Sequence, residues 1–184
     1  MTMKIFLLRH GESEANIADR INDDPARIVN LTEHGKAQAG AAAEKLRAVP
    51  FTHVYVSEFP RARQTAGILL RNRTCSLTID VRLNERCSGM DGLPVQAFND
   101  LVRPDQLRIK PERGESFLEQ MERLRSFMNE IAARHPDGII LAVSHENPIL
   151  AVLALTGGDA EKSVRGSIAN CAWVELEYVF IPFG

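Results

Sequence analysis

A chain of 184 residues, 45% hydrophobic and 25% charged, has the balance of an ordinary globular protein and room for one domain, or one with a small insertion. A formal net charge of −2 gives no basic field to draw it to nucleic acid, and no apolar run is long enough to span a membrane. Cys75, Cys87 and Cys171 form no CxxC pair, no Cys/His cluster has zinc-ligand spacing, and no secretory signal opens the chain, so reduced thiols, no metal and a cytoplasmic location are expected.

The stretch KIFLLRHGESEAN reads as a buried strand over Lys4–Leu8 that runs straight into Arg9, His10 and Gly11. LTEHGKAQAGAAAEKLRAV reads as a helix with Thr32 as N-cap. A strand over His53–Val56 delivers Ser57, then a helix with Pro60 in its first turn and Arg61 beside it. A strand over Leu77–Val81 is followed by LNERCSG with Glu85. GESFLEQMERLRSFMNEIAARH places Phe117, Met121, Leu124, Met128 and Ile131 on one helical stripe. Ile139–Val143 reads as a second fully covered strand, ending in SHEN with Ser144, His145, Glu146 and Asn147. Trp173–Val179 is the last strand. This alternation predicts an α/β fold, a three-layer αβα sandwich around a mainly parallel sheet, with ligands at the carboxyl ends of the strands.

Four such ends offer two histidines, two arginines and one glutamate. Alone, His145 reads as a helix-start residue bonded to backbone, Arg61 as a solvated charge like Arg63 and Arg71, and Glu85 as a surface carboxylate. Their convergence on one rim of one sheet is what chance explains poorly.

LLRHGES with Asn16, then LTEHGKAQA, SEFPRARQTA, LNE, GES and VSHEN, in this order and at these distances, resembles the histidine phosphatase superfamily with its phosphoglycerate-mutase-like fold, over nearly the whole chain. The resemblance implies one domain over 1–184 with a short lid at about 86–113. It implies His10 as nucleophile, Glu85 as acid and base, and Arg9, Arg61 and His145 as the phosphate pocket. Asn16 matches a phosphate-contacting position. Ser57 supports Arg61 or caps the strand-to-helix turn.

The chemistry suits these residue types. A phosphate monoester is a dianion whose phosphorus resists attack until its oxygens are countered. Arginine offers paired planar donors, and His145 a pH-sensitive one. Gly11 lets backbone approach a ligand. His10 attacks in line if one ring nitrogen is free and the other donates to a fixed acceptor, forming a phosphohistidine. Glu85 protonates the leaving alkoxide, then takes a proton from water. The expected partner is a small phosphorylated substrate, with no metal and no cofactor.

Three features depart from the family pattern. Glu146 stands where most relatives carry glycine. There it is expected to repel a dianion, unless it points away or pairs with a lid cation such as Arg108, and to be strained if the backbone needs positive φ. Removing it is then expected to tighten anion binding. RINDD replaces the RFTG of the mutases: Arg20 matches, Asn22 and Asp23 take the Thr-Gly positions, and Asp23 and Asp24 are expected to repel a glycerate carboxylate. The lid has only the 28 residues 86–113 and reads as loosely ordered, with a basic side from Arg103, Arg108, Lys110 and Arg113. A small lid admits water, so a phosphomonoesterase is expected, with a mutase or a non-catalytic phospho-ligand module as alternatives. Asp91 is the reserve acid if Glu85 is structural.

Overall fold

In the computed structural model, which describes residues 2–179, two apolar strands lie at the centre of one five-stranded sheet. The strands are β1 (Met3–Arg9), β2 (His53–Val56), β3 (Ser76–Ile79), β4 (Ile139–Ser144) and β5 (Trp173–Tyr178), in the order β3-β2-β4-β1-β5. All neighbours are parallel except β1 and β5, which pair antiparallel from Met3 opposite Tyr178 to Leu8 opposite Trp173.

Side-chain alternation builds two cores, since successive residues of a strand face opposite ways. Met3, Ile5 and Leu7 of β1, with Ile140 and Ala142 of β4, pack under helices α5 (Phe117–Arg134) and α6 (Glu146–Gly157). Phe6 and Leu8, with Leu141 and Val143, pack under α2 (Glu33–Lys45) and α3 (Pro60–Leu69). These are the expected three layers. Short helices α1 (Glu14–Ile17), α4 (Val95–Val102) and α7 (Ala160–Ser163) lie outside them. No helix among the described residues is long and apolar enough to cross a membrane.

Local chemistry sets the ends of these elements. Thr32 Oγ1 accepts from Gly35 N at 2.9 Å, Pro60 opens α3, and Ser116 and Glu119 form a reciprocal capping box on α5. Gly158, at φ 74°, ends α6 in the left-handed conformation that glycine takes without strain. On the expected α5 stripe, Phe117, Leu124, Met128 and Ile131 are buried and Met121 partly so, and Phe127 joins them.

Two expectations need correction. The third strand ends at Ile79, not Val81, because Asp80 Oδ1 accepts from Arg82 N at 2.9 Å and turns Val81–Leu83 into a 3₁₀ turn. The 86–113 segment is not loosely ordered. It carries α4, and Asp23 of the facing loop accepts from Ser88 Oγ at 2.6 Å and Gly89 N at 2.8 Å. In return Asp91 Oδ1 accepts from Asp23 N at 3.0 Å and Asn22 Nδ2 at 3.2 Å. Three of its four basic residues pair locally, Arg103 with Asp100, Arg108 with Asp105 and Lys110 with Glu119. The expected domain also takes in residues 1 and 180–184, which lie outside the described residues.

Candidate active site

At the carboxyl ends of β1, β2 and β4 a cavity of about 410 Å³ opens. Arg9, His10, Asn16, Arg20, Arg61, Glu85, Glu146 and Asn147 line it, as does Asn22. Gly11, Ser57 and His145 do not line it; they stand behind.

His10 leaves β1 with its backbone N–H on Ser144 O of β4 at 3.0 Å. Its ring is buried. Nδ1 lies 2.7 Å from Gly11 O, an acceptor only, so Nδ1 carries the proton and Nε2 is left with a lone pair. Arg61 Nε donates to that Nε2 at 3.1 Å. Burial, Arg61 and Arg9 hold the His10 pKa well below its usual 6.5, against the Gly11 carbonyl, which raises it. The ring is therefore neutral at pH 7 and aims an unprotonated nitrogen into the cavity.

Arg61 is the hub. It is buried, and besides His10 it donates through Nη2 to His145 Nδ1 at 3.1 Å and Asn22 O at 3.1 Å, and through Nη1 to Asn22 Oδ1. Burial lowers its pKa to about 10, which leaves it cationic at neutral pH. His145 is fully buried, and its pKa is held well below 6.5 by burial, Arg61 and His10. Ser57 Oγ donates to Asn84 Oδ1 at 3.0 Å and lies 2.8 Å from His145 Nε2. His145 Nε2–H thus donates to Ser57 while Nδ1 accepts from Arg61. Ser57 therefore reaches Arg61 only through His145, and it also caps the strand-to-helix turn by accepting from Phe59 N at 3.3 Å; neutral His145 braces Arg61 from behind the cavity wall instead of lining the pocket.

Gly11 also differs from expectation. A Cβ there would lie 2.4 Å from Gly35 O, so its bareness is required by the start of α2, not by a ligand. Its N–H donates to Thr65 Oγ1 at 3.1 Å, and that hydroxyl donates to Arg61 O at 2.8 Å. The contact with Gly35 locks the turn that aims His10.

Glu146 is the first residue of α6, with helical backbone. The positive-φ non-glycine residues among those described are Asp19 and Cys171, so the expected strain is absent. Its Oε1 accepts from Ile168 N and Ser167 Oγ, each at 2.8 Å, and lies 3.2 Å from Arg9 Nη1. It pairs with a cation, but one inside the site rather than Arg108. Arg9 Nη1 also donates to Ile168 O at 2.5 Å, while Arg9 Nε is buried without a partner among the described residues.

Glu85 Oε1 accepts from Arg86 N at 2.8 Å, and Asn147 donates to the same carboxyl. Burial nevertheless pushes the Glu85 pKa up, outweighing Arg86 N, Arg61, Arg9 and Asn147. Asp91, the reserve acid, is tied to Asn22, the 23–24 backbone and Arg27 (2.8 Å), with its pKa lowered despite desolvation. It is a structural clasp. Asn16 spends Oδ1 on Ser13 N and Ser13 Oγ, both at 3.0 Å, so what it can offer an anion is its NH₂. Arg20 reaches the cavity rim and Gly92 O at 3.4 Å.

Sequence reasoning missed Asn22 as a support of Arg61, and the 168–171 segment. There Asn170 Nδ2 donates to His10 O at 3.0 Å, and Cys171 N to Arg9 O at 3.0 Å. Neither carries a sequence signal beyond a polar residue in a loop.

Two neutral buried histidines make stability pH-dependent. The unfolded chain takes up protons near pH 6.5, and the fold resists doing so. Both contributions are therefore complete above about pH 6.5. Below it each costs stability at about 1.4 kcal/mol per pH unit until the ring protonates in the fold. We expect the melting temperature to hold from pH 8 to 7 and fall below 6.5, with a shallower fall in His145→Asn. Equal slopes in the two proteins would overturn the assignment.

The family model for the histidine phosphatase superfamily (branch 1) matches residues 5–179. A probable phosphoglycerate mutase of Proteus mirabilis is 29% identical, covering 98% of this chain and 87% of its own. The adenosylcobalamin/alpha-ribazole phosphatase of Salmonella typhimurium is 31% identical over 83% of this chain and 78% of its own. Among solved structures, a putative alpha-ribazole-5'-P phosphatase from Escherichia coli is similar at a TM-score of 0.82 and 28% identity, over 95% of this chain and 90% of that one. A mycobacterial glucosyl-3-phosphoglycerate phosphatase is similar at 0.83 and 25%, over 96% and 91%. With its RHG turn at the end of β1 and a family match over almost its whole length, this chain belongs to branch 1 of the histidine phosphatase superfamily.

Proposed function

We propose that this protein is a phosphomonoesterase that hydrolyses a small phosphorylated substrate through a phosphohistidine on His10. The observation that carries the reading is the His10 ring, held by Gly11 O at Nδ1 and by Arg61 at Nε2, in a cavity that Arg9 also lines.

The substrate dianion meets the unpartnered Nε–H of Arg9, the Arg61 guanidinium and the Asn16 NH₂. As its phosphorus takes the His10 lone pair, the Arg61 Nε–H passes from His10 to a phosphoryl oxygen. The N–P bond forms, the P–O bond to the alcohol breaks, and Glu85 gives its proton to the leaving oxygen. Its raised pKa keeps that proton available at higher pH than an ordinary carboxyl would. Ionised Glu85 then takes a proton from water that attacks phosphorus. Orthophosphate leaves, and neutral His10 and protonated Glu85 return.

Relatives named as phosphatases support hydrolysis. The lid also favours it. Asn22 spends its Nδ2 hydrogens on Asp24 O and Asp91 Oδ1, each at 3.2 Å, and Asp23 its backbone N–H on Asp91 Oδ1 at 3.0 Å, so neither has a donor free to receive a glycerate carboxylate. The expected repulsion by Asp23 and Asp24 is not the reason, because neither lines the cavity. Instead Val95 and Phe98 of α4, with Leu150 and Val164, give the same cavity an apolar part of its lining.

The test is a quenched-flow burst with p-nitrophenyl phosphate. We expect stoichiometric p-nitrophenol and acid-labile protein-bound phosphate within the first turnover. No phosphoenzyme and no turnover would leave a binding module. Isomerisation of phosphoglycerate that needs a bisphosphate and outpaces hydrolysis would instead make it a mutase.

A further inference from the structure

We infer that Glu146 is a positioning residue: it sets which edge of the Arg9 guanidinium meets the phosphoryl group. The inference rests on the phosphatase reading above and adds to it a residue that acts through Arg9. Arg9 Nη1 is bracketed by two acceptors, Ile168 O at 2.5 Å and Glu146 Oε1 at 3.2 Å. A planar guanidinium pinned at one terminal nitrogen is held in its plane, which leaves the opposite edge for the phosphoryl group in the cavity that Arg9 lines. That edge contains Nε, which is buried and has no partner among the described residues.

The same Oε1 accepts from Ser167 Oγ and Ile168 N, so one carboxylate oxygen joins the start of α6, the phosphate-facing arginine and the 164–170 loop. Val164 and Gly166 of that loop line the cavity, and its Asn170 holds His10 O. A negative charge is tolerated here for two reasons. It sits in the first turn of α6, where backbone N–H groups favour it, and it is opposite a guanidinium. Its field reaches the substrate already compensated by Arg9. The repulsion expected from sequence is thereby replaced by support.

Orthophosphate and orthovanadate binding, measured by calorimetry and by inhibition of p-nitrophenyl phosphate hydrolysis, tests this in three variants. Glu146→Gly is expected to weaken vanadate binding by about tenfold or more, the scale of one lost charged hydrogen bond. Phosphate should weaken less, because vanadate copies the crowded transition state that needs Arg9 in place. Glu146→Gln keeps an oxygen acceptor and should recover vanadate binding to within about threefold. Glu146→Asp, withdrawn by one methylene, should repeat the glycine pattern at smaller size and decides the matter if the glycine variant does not fold. A purely structural role would lower the active fraction and melting temperature but leave the vanadate-to-phosphate ratio alone. That ratio unchanged, or anions bound more tightly by the glycine variant, overturns the inference. A wild-type protein without vanadate-sensitive phosphatase activity overturns the functional reading instead.

Discussion

Replacing His10 with alanine is expected to reduce turnover on the order of 10⁴-fold or more, since it removes the nucleophile on which both chemical steps depend. The fold should survive, because β1 keeps both neighbours and the Gly11–Gly35 contact does not involve the ring. Anion binding should also survive through Arg9, Arg61 and Asn16. Orthophosphate should then still raise the melting temperature of the variant, as any ligand of the folded state does. The decisive measurement is acid-labile phosphate on the protein after mixing with labelled substrate. Its persistence in His10→Ala would move the nucleophile elsewhere, and the geometry of Nδ1, Gly11 and Arg61 would need another explanation.

Glu85→Gln should separate substrates by leaving group. The amide retains an oxygen for Arg86 N but has no proton to give. Alkyl phosphates, whose alkoxides need protonation, should lose about 10²–10⁴-fold, and p-nitrophenyl phosphate much less. The pH profile gives a second check. Burial raises the Glu85 pKa, so the alkaline fall in kcat for an alkyl phosphate should lie above the ordinary carboxyl range, and it should vanish in the variant. Equal losses on aryl and alkyl phosphates would make Glu85 a structural anchor for Arg86.

The parts of this site legible in sequence are those set by strand ends. Ile5–Leu8, His53–Val56 and Ile139–Val143 are short apolar runs, and the residues just after each run have to lie on one rim of a parallel sheet. That alone brings His10, Arg61 and His145 together. Which side chain each group touches is not legible. Ser57 and Arg61 come after the same strand, yet Ser57 turns to His145 because Asn84 takes its proton from the other side. Gly11 reads as space for a ligand until Gly35, on another element, is found against it. Glu146 reads as a repelling charge because the groups that donate to it, Ser167 and Ile168, lie in a loop with no pattern. Helix α4 escapes a sequence reading for a similar reason. Its capping residue is Pro94, which makes no side-chain hydrogen bond, so only the Val95–Val102 run marks it.

The position of β1 carries a consequence for how the protein is made. Its two neighbours are β4 and β5, so Lys4 waits for Ile139 on one side and for Glu177 on the other. While a ribosome is still adding the middle of the chain, Ile5–Leu8 is an apolar strand with two open edges, the kind of surface that sticks to other chains. The β2–β3 pair can form early, but β4 lies between it and β1, so neither half of the sheet can join the other before residues 139–144 emerge. Such distant pairings fold slowly, because a long loop must close before any contact offsets its entropy. Arg9 then still lacks Glu146 and Ile168, and His10 lacks Ser144 and Asn170. A nascent or prematurely ended chain therefore carries the RHG signature without the contacts that set Arg9 and His10, and the activity proposed above is expected only once synthesis has passed β4 and the 168–171 segment.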